Sequence, residues 1–235
     1  MLSFIDLPLS NLNYHIFPSK RFSGSTFSGI HDETFNFFVR RWEEAFGDTK
    51  EDAKPAPGWE DHFLRQDLVS AISFKDKIIA AHLYTIYDLS AAATLKSEYF
   101  KFISPLTISN LSAMAIKNVI SMEYLCVDKD IKFNSLGVSI GKVILGLGGK
   151  LSQEKGIDGA IGTPIKNNKV DLMMKNVGGF VIEKDILKYG YPVDLLFIPT
   201  KPCSKSCDPK VDFIMENLWS RRNDHTGEFY RKISA

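Results

Sequence analysis

Residues 121–141 read SMEYLCVDKDIKFNSLGVSIG, and the rest of the chain is best laid out from them. In the first half Glu123, Leu125 and Val127 fall on one face of an extended segment, with Tyr124 and Cys126 on the other. That period of two predicts a strand over 121–131. From Gly137 the period changes. Ile140, Val143, Ile144, Leu147 and Leu151 recur at helical spacing, which predicts a helix over 137–155. A turn that opens directly into a helix presents unpaired backbone N–H groups at the positive end of the helix dipole. Such an end suits a phosphate or a diphosphate. In the turn from Asn134 to Gly141, Gly137 and the small Ser139 would let the backbone come close to an anion. No Lys-Ser or Lys-Thr follows the glycines, so the turn is not a nucleotide-binding P-loop. The helix also carries Gly146, Gly148 and Gly149, each costing about 1 kcal/mol relative to Ala. Ligand approach is the expectation for Gly137 and Gly141, and tight packing for the other three.

Outward from this stretch, DGAIGTPI (158–165) reads as a strand. A helix follows from Asn167 or Asn168, with Val170, Met173, Met174 and Val177 inward and Gly178-Gly179 as its stop. Strands at 180–183 and 193–198 close the sheet. A last helix starts at Asp208-Pro209 and carries an apolar stripe of Val211, Ile214, Met215 and Leu218. Upstream, 68–74 and 78–87 form a hairpin around Lys75–Lys77. Residues 90–119 read as helices broken near Pro105. A first helix spans 32–46 with Asp32 as its cap, preceded by an irregular Ser- and Gly-rich segment. The expected organisation is one α/β domain over 1–200, with a helical insertion at about 89–119 and a C-terminal extension over 201–235.

Composition narrows the function classes. The chain has 235 residues, 29 Lys and Arg against 28 Asp and Glu, and a net charge of +1. No basic excess points to nucleic acid or a charged membrane surface. No run of about 18 apolar residues would span a membrane. The N-terminal residues lack a basic leader and Asp6 interrupts their apolar run, so a cytoplasmic location is expected. Cys126, Cys203 and Cys207 make neither a disulfide framework nor a zinc pattern. No metal is expected, and no motif speaks to an oligomeric state.

The order of elements resembles the GCN5-related N-acetyltransferase superfamily. Leu125-Cys126-Val127 matches that family's strand end, and Asn134-x-x-Gly137-x-Ser139 is a degraded form of its Gln/Arg-x-x-Gly-x-Gly/Ala loop. Asn168, the helix through Val177 and the closing Gly179-Phe180 match features further on. The resemblance covers roughly residues 68–198 and implies a mixed, mostly antiparallel central sheet flanked by helices. Two positions depart from the pattern. Asn134 replaces Gln or Arg, and Lys175 stands where the family's thiolate-protonating tyrosine would fall; Tyr189 or Tyr191 are substitutes from the next turn.

The resemblance implies direct acyl transfer from acetyl-CoA or another acyl-CoA to the primary amine of a small molecule or peptide. The donor's diphosphate would rest on backbone N–H groups of Gly137, Val138, Ser139, Ile140 and Gly141, with Asn134 and Asn168 beside the donor. N–H groups near Leu125 to Val127 would polarise the thioester carbonyl. Glu123 would serve as general base; it is equally a candidate for a structural ion pair, and Asn168 for a helix cap. Cys126, among apolar neighbours, reads as a buried small residue. Two alternatives remain open. One is a long-chain N-acyl amino acid or autoinducer synthase fed by acyl carrier protein, with 89–119 lining an acyl tunnel; the other is a catalytically inactive acyl- or CoA-binding module.

Overall fold

A computed structural model describes residues 8–47, 58–128, 137–166, 169–200 and 208–227. Its strands are β1 (Leu12–Pro18), β2 (Leu68–Phe74), β3 (Lys77–Asp88), β4 (Asn118–Val127), β5 (Gly159–Gly162), β6 (Phe180–Lys188), β7 (Tyr191–Pro199) and β8 (Asn223–Asp224). They form one sheet in the order β6-β7-β5-β4-β3-β2-β1-β8. Pairs β1/β2, β2/β3, β5/β7 and β6/β7 are antiparallel, while β4/β5 and β1/β8 are parallel. The helices are α1 (Ser28–Gly47), α2 (Asp61–Leu64), α3 (Ala92–Leu95), α4 (Pro105–Ala113), α5 (Ile140–Glu154), α6 (Val170–Asn176) and α7 (Pro209–Ser220). A mixed, mostly antiparallel sheet flanked by helices is the expected class. Parallel β4 and β5 require a crossover, and α5 supplies it. No helix among the described residues is long and apolar enough to cross a membrane.

The chain forms two compact parts. The first comprises Met1–Tyr84, Tyr124–Ile144 and Lys210–Ala235. Its core gathers Phe17, Phe27, Phe37, Phe38, Phe63 and Cys126. β1 is absent from the sequence reading although Leu12, Tyr14 and Ile16, all fully buried, alternate with Asn13 and His15. α1 begins at Ser28, not at Asp32. Phe27 is buried and stacks on Phe17 at 5.8 Å, and its carbonyl accepts the His31 amide at 2.9 Å. Burial of that aromatic start outweighs the poor helix propensity of the Ser-Gly run. Asp32 instead sits inside the helix and pairs with Arg21 at 3.0 Å. The α7 stripe of Val211, Ile214, Met215 and Leu218 is buried as its spacing predicts.

The second part comprises Thr85–Glu123 and Leu145–Pro209, with a core that includes Tyr99, Phe100, Ile103, Leu111, Val119, Ile161 and Phe197. α4 is capped by Ser104, whose side chain accepts the Thr107 amide at 3.2 Å. Glu183 in turn accepts the Ser104 amide and hydroxyl, each at 3.1 Å through its Oε2. The helix then stops at Ala113, and β4 starts at Asn118 instead of 121. Ala115 adopts φ +58°, the Ala115 amide bonds to Ser112 O at 2.9 Å, and the Ile116 amide to Leu111 O at 3.0 Å. This is a Schellman stop with alanine in the left-handed position that glycine usually fills. β6 and β7 run longer than the apolar stretches 180–183 and 193–198. They meet in a two-residue turn, Tyr189 (φ +52°) and Gly190 (φ +80°), that pairs Lys188 with Tyr191. Positive φ at both central residues is the turn geometry that matches strand twist.

Candidate active site

β4 supplies the centre of the site. Its pairing with β5 runs only from Val119↔Gly159 to Ser121↔Ile161, yet the strand continues to Val127. Just past the last pair lies Glu123, and after it Tyr124 adopts φ +53°. A tyrosine in the left-handed region costs on the order of 1–3 kcal/mol and persists only where surroundings hold it. Here they do. The Tyr124 ring meets Trp42 at 5.3 Å and Phe38 at 5.6 Å, both edge to face, and its hydroxyl hydrogen-bonds His62 Nδ1. Beyond the kink, Leu125 and Val127 are partly exposed, whereas Cys126 is buried. Burial pushes the Cys126 thiol up to about 12, so it stays protonated and is no nucleophile. The Asp128 amide bonds to Ile79 O at 2.8 Å and its carboxylate accepts Lys77 Nζ at 3.1 Å, which fixes the end of the strand.

Glu123 belongs to a polar cluster built from five separate segments. The Ser121 hydroxyl donates to Glu123 Oε1 at 2.6 Å and accepts the Thr85 amide at 3.3 Å. Lys188, only 9% exposed, donates to Thr163 Oγ1 at 3.0 Å and lies 4.2 Å from the centre of the buried Tyr99 ring. Burial raises the Glu123 carboxyl above the usual carboxylate range; the Lys188 ammonium and the Ser121 hydroxyl oppose that rise, and Glu98 adds to it. Lys188 is lowered by the same burial, with Glu123 and Glu98 opposing. Tyr99 is raised well above its ordinary value, mainly by burial, with Thr163 the one group acting the other way. A carboxylate held this way exchanges a proton closer to neutrality than an exposed one does. Sequence reading found Glu123 alone. Lys188, Tyr99 and Thr163 lie far from it along the chain, and none stands in a motif.

The second candidate element is the amino end of α5. Gly137 is exposed with φ +64°, and no atom lies within 4 Å of where a Cβ would sit. Its glycine is therefore a matter of backbone conformation. Val138, Ile140 and Gly141 are buried while Ser139 is exposed. The Ser139 carbonyl accepts the amides of Lys142 and Val143 at 3.1 and 3.3 Å. The N–H groups of the first turn before them have no intrahelical acceptor. The first turn of α5 contains no acidic residue, so no carboxylate of its own competes with an anion there. The five residues that define the α5 pattern, from Ile140 to Leu151, are all buried. Gly149, expected to serve tight packing, has open space where a Cβ would be.

The remaining predicted residues divide plainly. Asn134 and Asn168 lie outside the described residues, as do Cys203 and Cys207. Lys175 is exposed on α6 and pairs with Asp171 at 3.3 Å. Tyr189 is half exposed at the β6–β7 turn, beside Phe102 at 5.3 Å, and Tyr191 is partly buried. His82 is buried and lowered to about 3 by that burial, which keeps it neutral. No group of three His, Cys, Asp or Glu among the described residues could hold a metal ion.

No family model matches the chain, and no curated protein matches it in sequence. Solved structures do match in shape. A CoA-dependent acyl-homoserine lactone synthase is 9% identical, covers 91% of this chain and 93% of its own, and has a TM-score of 0.54. An N-acyl amino acid synthase from uncultured soil microbes is 10% identical over 82% of this chain and 93% of its own, with a TM-score of 0.54. The polyamine N-acetyltransferase of Drosophila melanogaster is 10% identical over 79% of this chain and 97% of its own, with a TM-score of 0.52. The chain has the GCN5-related N-acetyltransferase fold. In this fold, Glu123 and the strained Tyr124 lie on β4 just past its last pair with the short parallel strand β5.

Proposed function

We propose that the chain is an N-acyltransferase that moves an acyl group from a CoA thioester to a primary amine by direct attack. The observation that carries this reading is Glu123, a carboxylate just past the last β4–β5 pair that accepts the Ser121 hydroxyl at 2.6 Å and is raised by burial. An amine acceptor arrives as an ammonium and must lose a proton before it can attack. Glu123 takes that proton. The nitrogen–carbon bond forms, the carbon–sulfur bond breaks, and the second nitrogen proton ends on the departing sulfur. Backbone N–H groups near Leu125 to Val127 are assigned to the carbonyl oxygen as negative charge develops on it. The N–H groups of Gly137, Val138, Ser139, Ile140 and Gly141, with Asn134 and Asn168, are assigned to the donor. An acid-free first turn on α5 fits a diphosphate.

A second reading, a synthase that takes a long acyl chain from acyl carrier protein, shares its fold with an N-acyl amino acid synthase, whereas the acyl-homoserine lactone synthase of the same fold is CoA-dependent. One experiment separates them. The protein is incubated with a mixture of small amines, amino acids and short peptides, and with donors ranging from acetyl-CoA to long-chain acyl-CoA and acyl carrier protein thioesters. Mass spectrometry then reads the amide products. The leading reading expects amides from acyl-CoA donors; products from acyl carrier protein alone would replace it with the second. Donor binding without any product would point to an inactive binding module.

A further inference from the structure

The polar cluster around Glu123 contains a cation to which neither the sequence nor the fold assigns a role. Lys188 is the last residue of β6, fixed in place by the two-residue turn that follows it. Its side chain runs inward: it is buried, donates one hydrogen bond to Thr163 Oγ1 at 3.0 Å, and sits over the Tyr99 ring at 4.2 Å. An ammonium has three protons to donate, and burying one with a single hydroxyl and an aromatic face is costly unless a negative charge lies nearby. Ser121 pairs with Ile161, so Glu123 and Thr163, the acceptor of the Lys188 ammonium, stand two residues further on at the same level of neighbouring parallel segments; the charges of Glu123 and Glu98 act on that ammonium. Glu98 is already paired with Lys101 at 3.3 Å, and both of those side chains are half exposed. Glu123 is held by Ser121, and among the described residues Lys188 is the cation that acts on its charge.

We infer that Lys188 is a positioning residue for the proton transfer: its ammonium, anchored by Thr163 and Tyr99, keeps the Glu123 carboxylate ionised and able to accept the acceptor's proton. This rests on the reading of Glu123 as general base. The groups that face the pair are Glu98 from the segment after α3, Tyr99 beside it, Tyr87 from β3, which acts on Tyr99, and Tyr189 from the turn, whose ring centre lies 5.8 Å from Lys188 Nζ. Among them Lys188 is the only cation acting on Glu123, and Glu98 works against it. Removing Lys188 therefore disfavours the carboxylate, so Glu123 holds its proton to higher pH and the acid limb of catalysis moves up.

The test follows Glu123 by carboxyl-carbon NMR across pH and, in parallel, the pH profile of kcat/KM, in the native protein, Lys188→Met and Lys188→Arg. In Lys188→Met, both the carboxyl midpoint and the acid limb are expected to rise by about one pH unit or more, the size of effect a close opposite charge has. Lys188→Arg keeps the charge and brings both back toward the native values. A Glu123 midpoint that does not move in Lys188→Met overturns the role of Lys188. A midpoint that moves while the acid limb stays put instead overturns Glu123 as the base, so the two failures are distinct. If Lys188→Met does not fold, Thr163→Val removes the anchoring hydrogen bond and leaves every charge in place. It is expected to raise the midpoint by less, and an unchanged midpoint there overturns the inference.

Discussion

Glu123→Gln is expected to lower kcat by about 10² to 10⁴, the usual worth of a positioned general base, with little change in donor affinity. Glutamine has the same shape, and its carbonyl oxygen can still accept the Ser121 hydroxyl that now donates to Glu123 Oε1 at 2.6 Å. The strand and its kink should therefore survive. What disappears is the ability to take a proton. The variant should lose the acid limb of the pH profile along with the rate, because that limb is the protonation of Glu123. Steady-state kinetics with the best acceptor found among the amines, run across pH, would check this. A variant that keeps both the native rate and the native pH profile would leave Glu123 as a structural carboxylate.

Ser139→Glu is expected to weaken CoA binding at least tenfold, that is by about 1.4 kcal/mol or more, without unfolding the protein. Ser139 is exposed, and it is the backbone carbonyl of this residue, not its side chain, that accepts the Lys142 and Val143 amides. A carboxylate at this position is compatible with the helix itself, since acidic residues favour the positive end of a helix dipole. The same carboxylate would compete with a diphosphate for the first-turn amides and repel its charge. Thermal stability should thus hold or rise while affinity falls. Calorimetric titration with CoA, paired with a melting curve, separates the two effects. Equal affinity in native protein and variant would remove the diphosphate from the α5 amino end.

How far the sequence could be read depended on whether each signal was local. The switch from period two to helical spacing across 121–141 needs no partner to be seen, and it locates β4 and α5, although β4 begins three residues earlier and α5 three residues later than that spacing predicts. The stop of α6 is local too: Gly178 takes φ +90°, and the Gly179 amide bonds to Met174 O at 2.9 Å, a geometry announced by Gly-Gly. The stop of α4 has the same hydrogen bonds but places Ala115 in the left-handed position. Nothing in AMAI hints at it, and the reading ran the helix into the first residues of β4. The candidate site divides the same way. Glu123 is visible because it shares a strand with the Leu-x-Val motif. Lys188 and Thr163 are brought together only through the pairing of β5, β6 and β7 with one another, and Tyr99 joins Lys188 from the segment after α3. The kink at Tyr124 was equally hidden, because the rings that hold it come from α1 and the α2 segment.

The account depends most on where the donor's phosphates bind, and backbone amide NMR during a CoA titration reads that residue by residue. The amides of Gly137, Val138, Ser139, Ile140 and Gly141 should move together and saturate at the affinity that calorimetry gives. Saturable CoA binding that leaves these five amides unmoved would contradict the account.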